Sequence, residues 1–236
     1  MTSRLLITGT DTGIGKTTVG SVIAAAFRRR AIDVGVIKPV ETGCATGPDG
    51  QLVPADALQL RWFAGRSDPI DVVCPVRLPE PLAPTVAARR AGVVLETARL
   101  VAAIEAHGAT CALQLVEGAG GLLVPVAGAD SFADLAAACD LAVLVVVGNR
   151  LGCVNHAALT VRCARAAGLR IAGYVVNSLR PDPDLAMQTN AALLAELIGP
   201  SIGELPWLGA LICNDAERQR LAELGERHLA LDALLG

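Results

Sequence analysis

The sequence predicts a doubly wound, mostly parallel α/β sheet flanked by helices. Short β-branched apolar runs alternate along the whole chain with longer Ala- and Leu-rich stretches of helical period. The apolar mass is aliphatic: 53% of the 236 residues are hydrophobic, yet only 3% are aromatic and 18% charged. That composition suits helices packed on both faces of a parallel sheet and leaves little room for disorder. Polar and glycine-rich segments recur where the strands end, which is where such sheets gather their ligands. The length fits one domain over residues 1–236.

Taken in order, residues 4–8 form an apolar strand, 9–15 a glycine-rich loop and 17–30 an Ala/Val/Ile helix. A second strand over 33–37 closes at Lys38-Pro39, and 41–54, rich in Gly, Pro, Thr and Asp, reads as a long loop. Residues 56–63 read as a helix. Prolines at 75, 79, 81 and 84 predict an extended loop over 75–84, because proline fixes φ and lacks an N–H. Helices follow at 85–91 and 95–106. A buried strand over 111–116 ends at Glu117, ahead of Gly118-Ala119-Gly120-Gly121. Ser131 is the expected N-cap of a helix over 131–139. The β-branched run 141–147 reads as a central strand, followed by a helix at 155–167, a strand at 170–176, a helix at 185–198 and a short strand at 202–205. The segment 215–235 reads as helical.

Composition excludes several classes of function. The net charge is −3, and Arg28-Arg29-Arg30 is the one basic run, expected as a solvated helix C-terminus favoured by the dipole. With few aromatic platforms besides, no nucleic-acid partner is expected. The cysteines (Cys44, Cys74, Cys111, Cys139, Cys153, Cys163, Cys213) form no C-x-x-C pair, which points to free thiols in a reducing, cytoplasmic setting without a zinc cluster. No signal-peptide pattern opens the chain, and the most apolar run is strand-sized, so no membrane span is expected.

The strongest chemical signal is Gly9-Thr10-Asp11-Thr12-Gly13-Ile14-Gly15-Lys16-Thr17-Thr18, set between a strand and a helix. That is the context of a phosphate-binding loop, so the fold expected is P-loop NTPase-like. Backbone N–H groups over Gly13, Ile14, Gly15 and Thr18, with the helix N-terminus, would cradle phosphates. Lys16 would reach the terminal phosphates, and Thr17 would give its hydroxyl to Mg²⁺. Thr10 stands where the general pattern has glycine, with Gly9 one residue earlier. Glu117, at a strand end facing the same crevice, is the expected second Mg²⁺ acid. Asp56, by position alone, reads as a helix cap. Position alone also leaves Lys38 balanced between a catalytic cation and a strand-end lysine reaching solvent.

Several motifs occur together and in order: the glycine loop, Lys38-Pro39-Val40-x-Thr42-Gly43, Asp56-Ala57-Leu58, Glu80-Pro81-x-x-Pro84, Val116-Glu117-Gly118-Ala119-Gly120-Gly121, Leu151-Gly152-Cys153-Val154-Asn155-His156-Ala157 and Gly203-Glu204-Leu205-Pro206-Trp207-Leu208. Jointly they resemble the dethiobiotin synthetase family over nearly the whole chain. The resemblance implies that ATP, CO₂ and 7,8-diaminopelargonate give dethiobiotin, ADP and phosphate. It implies catalytic roles for Lys16 and Lys38 and an Mg²⁺ shell of Thr17, Asp56 and Glu117. It places ATP against Gly118, Ala119 and Gly120, with Asn177, Pro206, Trp207 and Leu208 on the base. It places the substrate at Thr12, Lys38 and Thr42, and its carboxylate at Leu151, Gly152 and Asn155 of a neighbouring subunit, so that a homodimer shares each site. Without the resemblance, Asn177 reads as a turn residue, Trp207 as packed, and the loop at 151–155 as a helix start. The chain departs from the family at Gly13, where an acid is frequent, and at Thr85, where a histidine is.

One competing reading is a switch ATPase of the partition or division-site class. Such proteins carry a second lysine five residues before the main one, and that position here is Asp11. Their membrane-binding terminal helix has a cationic face, whereas 216–235 mixes Arg with Glu and Asp and reads as a packed helix. Amidotransferase synthetases of related fold need a glutaminase domain, for which this length leaves no room. Intact Lys16, Lys38, Asp56 and Glu117 argue against a non-enzymatic, nucleotide-dependent interaction module.

Overall fold

A computed structural model of the chain describes residues 3–235. In chain order the elements are β1 (Ser3–Gly9), α1 (Lys16–Arg29), β2 (Val34–Ile37), β3 (Val40–Thr42), β4 (Ala45–Thr46), β5 (Leu52–Val53), α2 (Ala55–Ala64), α3 (Ile70–Val73), β6 (Val76–Leu78), α4 (Pro84–Arg90) and α5 (Thr97–Gly108). They continue with β7 (Leu113–Gly121), β8 (Pro125–Ala127), β9 (Asp130–Ser131), α6 (Phe132–Ala138), β10 (Ala142–Asn149), α7 (Cys153–Ala166), β11 (Ile171–Ser178), α8 (Leu185–Ile198), β12 (Gly203–Leu205), α9 (Asp215–His228) and a 3₁₀ turn (Leu231–Leu234).

Six strands form the main sheet in the order β12-β11-β10-β1-β7-β2, every pairing parallel. The chain builds one side through β2 and β7, then crosses β1 to build the other through β10, β11 and β12. The crevice at that reversal, above the carboxyl end of β1, is the expected ligand position. Alternation along the strands divides the core. Leu5, Ile7, Leu144 and Val146 face a cluster with α1, α2 and α9, while Leu6, Val143, Val145 and Val147 face a cluster with α4 to α8. Strands buried on both faces explain why the β10 sequence is continuously apolar.

The structure departs from the sequence reading in four places. Residues 41–54 and 75–84 are not wholly loop: β3 pairs in parallel with β6 (Val40↔Val76 to Thr42↔Leu78), and β4 with β5 in a small hairpin. The strand that carries Glu117 does not end there but runs on to Gly121. A hairpin of β8 and β9 leads into α6, and there Ser131 is the N-cap as expected: its Oγ accepts from Ala133 N at 3.2 Å while Asp134 accepts from Ser131 N at 2.7 Å. The helix expected over 215–235 ends at His228.

The basic run is docked as well as solvated. Arg30 bonds Glu226 at 2.7 Å and Asp232 at 2.5 Å, Arg29 lies 3.4 Å from Glu223, and Arg28 donates to Gly65 O at 3.1 Å. Leu221, Ala222 and Gly225 bury the apolar face of α9 on α1. Among the described residues no helix is long and apolar enough to cross a membrane. None of the seven cysteines forms a disulfide, and Cys44, Cys74, Cys139 and Cys153 are buried, as small hydrophobes commonly are.

The α1–α9 seam depends on close approach. A Cβ on Gly225 would lie 2.7 Å from Ala26 Cβ, so the two helices would have to part. Gly225→Val should therefore destabilise the fold by about 1–3 kcal/mol or more, the usual cost of overpacking; a urea midpoint equal to the parent's would show that α9 is not packed in this way.

Candidate active site

The site begins with the turn that ends β1. A Cβ at position 9 would lie 2.7 Å from Asp11 O and 2.9 Å from the Ile14 side chain, so the close backbone approach falls at Gly9 and Thr10 can carry a side chain. Gly13 and Gly15 take left-handed φ values of 71° and 88°, which glycine adopts without strain. Gly15 is the N-cap of α1 and leaves the first N–H groups of the helix free to face an anion. A Cβ at Gly13 would meet nothing within 4 Å, so the space beside the turn is open there.

Charged groups converge just inside this turn. Lys16, 7% exposed, donates from Nζ to Asp11 O at 3.2 Å. Burial pushes its pKa down; the Glu117 charge opposes that, and the Lys38 charge adds to it. Lys38, 4% exposed, follows β2 and donates to Glu117 Oε1 at 2.6 Å and to Asp56 Oδ2. Burial alone would depress the Lys38 ammonium, but Glu117, Asp56 and Glu41 outweigh it and its pKa lies above the ordinary lysine value. Thr17 Oγ1 donates to the same Glu117 Oε1 at 2.9 Å. Glu117 itself is fully buried, and its Oε2 has no hydrogen-bond partner. Thr17, Asp56 and Glu117 thus bring hydroxyl and carboxylate oxygens together, the donor chemistry a hard divalent cation takes, and Glu117 Oε2 is a buried acceptor that a cation would satisfy.

These groups line a cavity of about 470 Å³. Of the residues singled out in the sequence, Thr12, Gly13, Gly15, Lys16, Thr17 and Thr18 line it from the turn, and Lys38, Thr42, Asp56, Glu117, Ala119 and Gly120 line it from the neighbouring strand ends. Gln59, Gly209, Ala210 and Leu211 also line it and were not singled out. Gln59 lies one helical turn beyond Asp56 on α2, so the i, i+3 relation could have found it. No motif marks 209–211.

Other expected residues lie outside the cavity wall. Ile14 is packed in the core, and Gly118 is buried beside the Phe132 ring. Asn177 is buried at the end of β11, where its Nδ2 donates to Ile14 O at 2.9 Å and fills the space beside Gly15; it holds the turn. Pro206 and Trp207 are exposed and Leu208 half-buried; the Trp207 ring lies 3.6 Å from where a Gly209 Cβ would be, at the cavity's edge. The second tryptophan, Trp62 on α2, lies under the Arg218 guanidinium at 4.7 Å. Leu151, Gly152 and Asn155 are exposed at the start of α7, with Leu151 at 84%. Their loop is anchored from behind: Asn149 Nδ2 donates to Met187 O at 3.0 Å, and Asn190 Nδ2 to Asn149 Oδ1 at 2.9 Å and Arg150 O at 3.1 Å. Arg150 pairs with Asp11 of the glycine turn.

Comparison with known proteins bears on family and fold. The profile of a family described as an AAA domain matches residues 3–214. The ATP-dependent dethiobiotin synthetase BioD of Anaeromyxobacter dehalogenans is 44% identical, over 86% of this chain and 89% of that protein. The protein of the same name from Thermodesulfovibrio yellowstonii is 34% identical, over 100% and 99%. Among solved structures, a ParA family ATPase from Chlorobium tepidum superposes with a TM-score of 0.54 at 15% identity, over 94% of this chain and 90% of that one. The MinD cell division protein of Aquifex aeolicus gives 0.52 at 16%, over 98% and 93%. At such identity the superpositions show a shared fold alone, whereas the sequence relatives match 86% and 100% of the chain at 44% and 34% identity. On that ground the chain belongs to the family of ATP-dependent dethiobiotin synthetases.

Proposed function

We propose that this chain carries out the ATP-dependent carboxylation and ring closure of 7,8-diaminopelargonate with CO₂, giving dethiobiotin, ADP and phosphate. The observation that carries the reading is the convergence of Lys16, Lys38 and Glu117 in one cavity at the head of a phosphate-binding turn. A substrate amine takes up CO₂ as a carbamate. A carbamate oxygen displaces ADP from the γ-phosphate, giving a carbamic–phosphoric anhydride. The second amine then attacks the carbamoyl carbon, closes the ureido ring and expels phosphate.

The difficulty in this sequence is electrostatic, since an anionic carbamate must meet an anionic triphosphate. Preorganised cations lower that barrier because they need not reorient as charge moves. The turn's N–H groups and Lys16 hold the phosphates, and Lys38 stands at the end of β2, where carbamate and γ-phosphate would meet. Thr42, on the same wall, is available to the substrate amines. Thr17, Asp56 and Glu117 would hold Mg²⁺, which when bound neutralises phosphate charge; the unpaired Glu117 Oε2 supports that assignment. Seven cysteines without a disulfide support a reducing, cytoplasmic setting. The switch-ATPase alternative shares the fold, but Asp11, paired with Arg150, occupies the position of its signature lysine.

The substrate's carboxylate lies far from its amines, and an exposed glycine-capped helix start at Leu151, Gly152 and Asn155 suits an anion. The exposure of Leu151 supports a role toward a second subunit, with the homodimer completing each site.

Lys16→Ala should lower kcat by about 100- to 1,000-fold, the scale of losing one preorganised donor to the transition state. Lys38→Ala should do likewise while ATP affinity stays near the parent's; steady-state dethiobiotin formation with nucleotide titration checks both, and a normal kcat in either variant removes that lysine from the chemistry. Glu117→Gln should raise the Mg²⁺ concentration needed for half-maximal rate, and an Mg²⁺ dependence identical to the parent's would exclude Glu117 from the metal shell. For the dimer, Lys38→Ala and Gly152→Trp subunits, each inactive alone, should regain roughly a quarter of parental activity when dissociated and mixed, because half the dimers are mixed and each rebuilds one site. Mixed dimers without activity would mean that each subunit builds its own site.

A further inference from the structure

Asp56 reaches Lys38 with a side chain that is 46% exposed, so its own surroundings do little to aim it. What fixes it is the start of α2. The first N–H groups of a helix have no partner within it and are usually met by a Ser, Thr, Asp or Asn side chain at the N-cap. Here the N-cap is Pro54, which offers no such oxygen. The acceptor comes from β3 instead. Glu41, 4% exposed, receives Asp56 N on Oε1 at 3.0 Å and Ala57 N on Oε2 at 3.0 Å. A buried carboxylate is costly unless it is fully hydrogen-bonded, and the positive end of the helix dipole suits it. Glu41 also lies between Lys38 and Thr42 in the chain, so one short segment supplies two cavity residues and the anchor for a third.

We propose that Glu41 is a positioning residue that caps α2 from β3 and thereby holds Asp56 at the cavity, facing Lys38. The proposal rests on the reading of Asp56 as part of the Mg²⁺ shell. Glu41→Gln keeps the size of the side chain but leaves one accepting oxygen where two are used. Two readouts need no turnover: Mn²⁺ titrated into the ADP-saturated protein and followed by electron paramagnetic resonance, and deuterium exchange of the amides over 55–64. Glu41→Gln should weaken Mn²⁺ binding by about 10- to 100-fold, the usual cost of losing a group that orients a metal ligand. It should speed exchange at the start of α2, and added to Asp56→Asn it should cost no further affinity. Should Glu41→Gln fold poorly, Glu41→Asp, which keeps the charge but shortens the reach, carries the same test. Unchanged Mn²⁺ affinity in the folded variant, or losses that add in the double variant, overturns the proposal. If Asp56→Asn alone leaves Mn²⁺ binding untouched, the metal assignment of Asp56 fails instead, and exchange decides the capping: fast exchange in Glu41→Gln upholds it, protected amides overturn it.

Discussion

A carboxylate removed from water persists only where neighbouring groups replace its hydration, and the fully buried Glu117 imposes that condition on the surrounding fold. Its charge is met by Lys38 from the end of β2, and its Oε1 by Thr17 from the first turn of α1. Three elements far apart in sequence must therefore meet at one atom, and only a sheet that places β2, β7 and β1 side by side allows it. Lys38 in turn draws in Asp56, and Glu41 holds the helix that carries Asp56. Removing one member of such a buried set typically costs more than the pair contributed, because the remaining charge is left without a partner.

Much of this was legible in the sequence because the signals were local. The glycine turn, the continuous apolar run of β10 and the Ser131 cap each follow from residue type at fixed spacing, and each appears in the structure. What the sequence hid depends on tertiary contact. The short strands β3 and β6 are stabilised by pairing with each other across 36 residues, so neither shows a pattern of its own. Glu41 looked like loop because its partners are backbone N–H groups, which carry no signature in side-chain identity. Asn177 at the end of β11 is bonded through its amide to the carbonyl of the turn, a contact that only the tertiary structure reveals. The wall at 209–211 is formed by a chain path after β12 that no residue type encodes.

Fold and family separate cleanly here. Superposition on a ParA family ATPase and on MinD covers almost the whole chain, yet proteins of that architecture differ in what stands at the strand ends. What ties this chain to the dethiobiotin synthetases is sequence identity of 44% and 34% to relatives over most of its length.

The placing of the two tryptophans has an optical consequence. One indole is on α2, the helix that carries Asp56 and Gln59, and the other borders Gly209 at the cavity's edge. With a single tyrosine besides, nearly all intrinsic ultraviolet emission comes from these two rings. Both residues are exposed, but the Trp62 ring also lies under a guanidinium, so their spectra will differ. The protein thus carries one unlabelled reporter at the edge of the chamber and another on the helix that carries Asp56, so ligand arrival can be followed by stopped-flow fluorescence without attaching a dye.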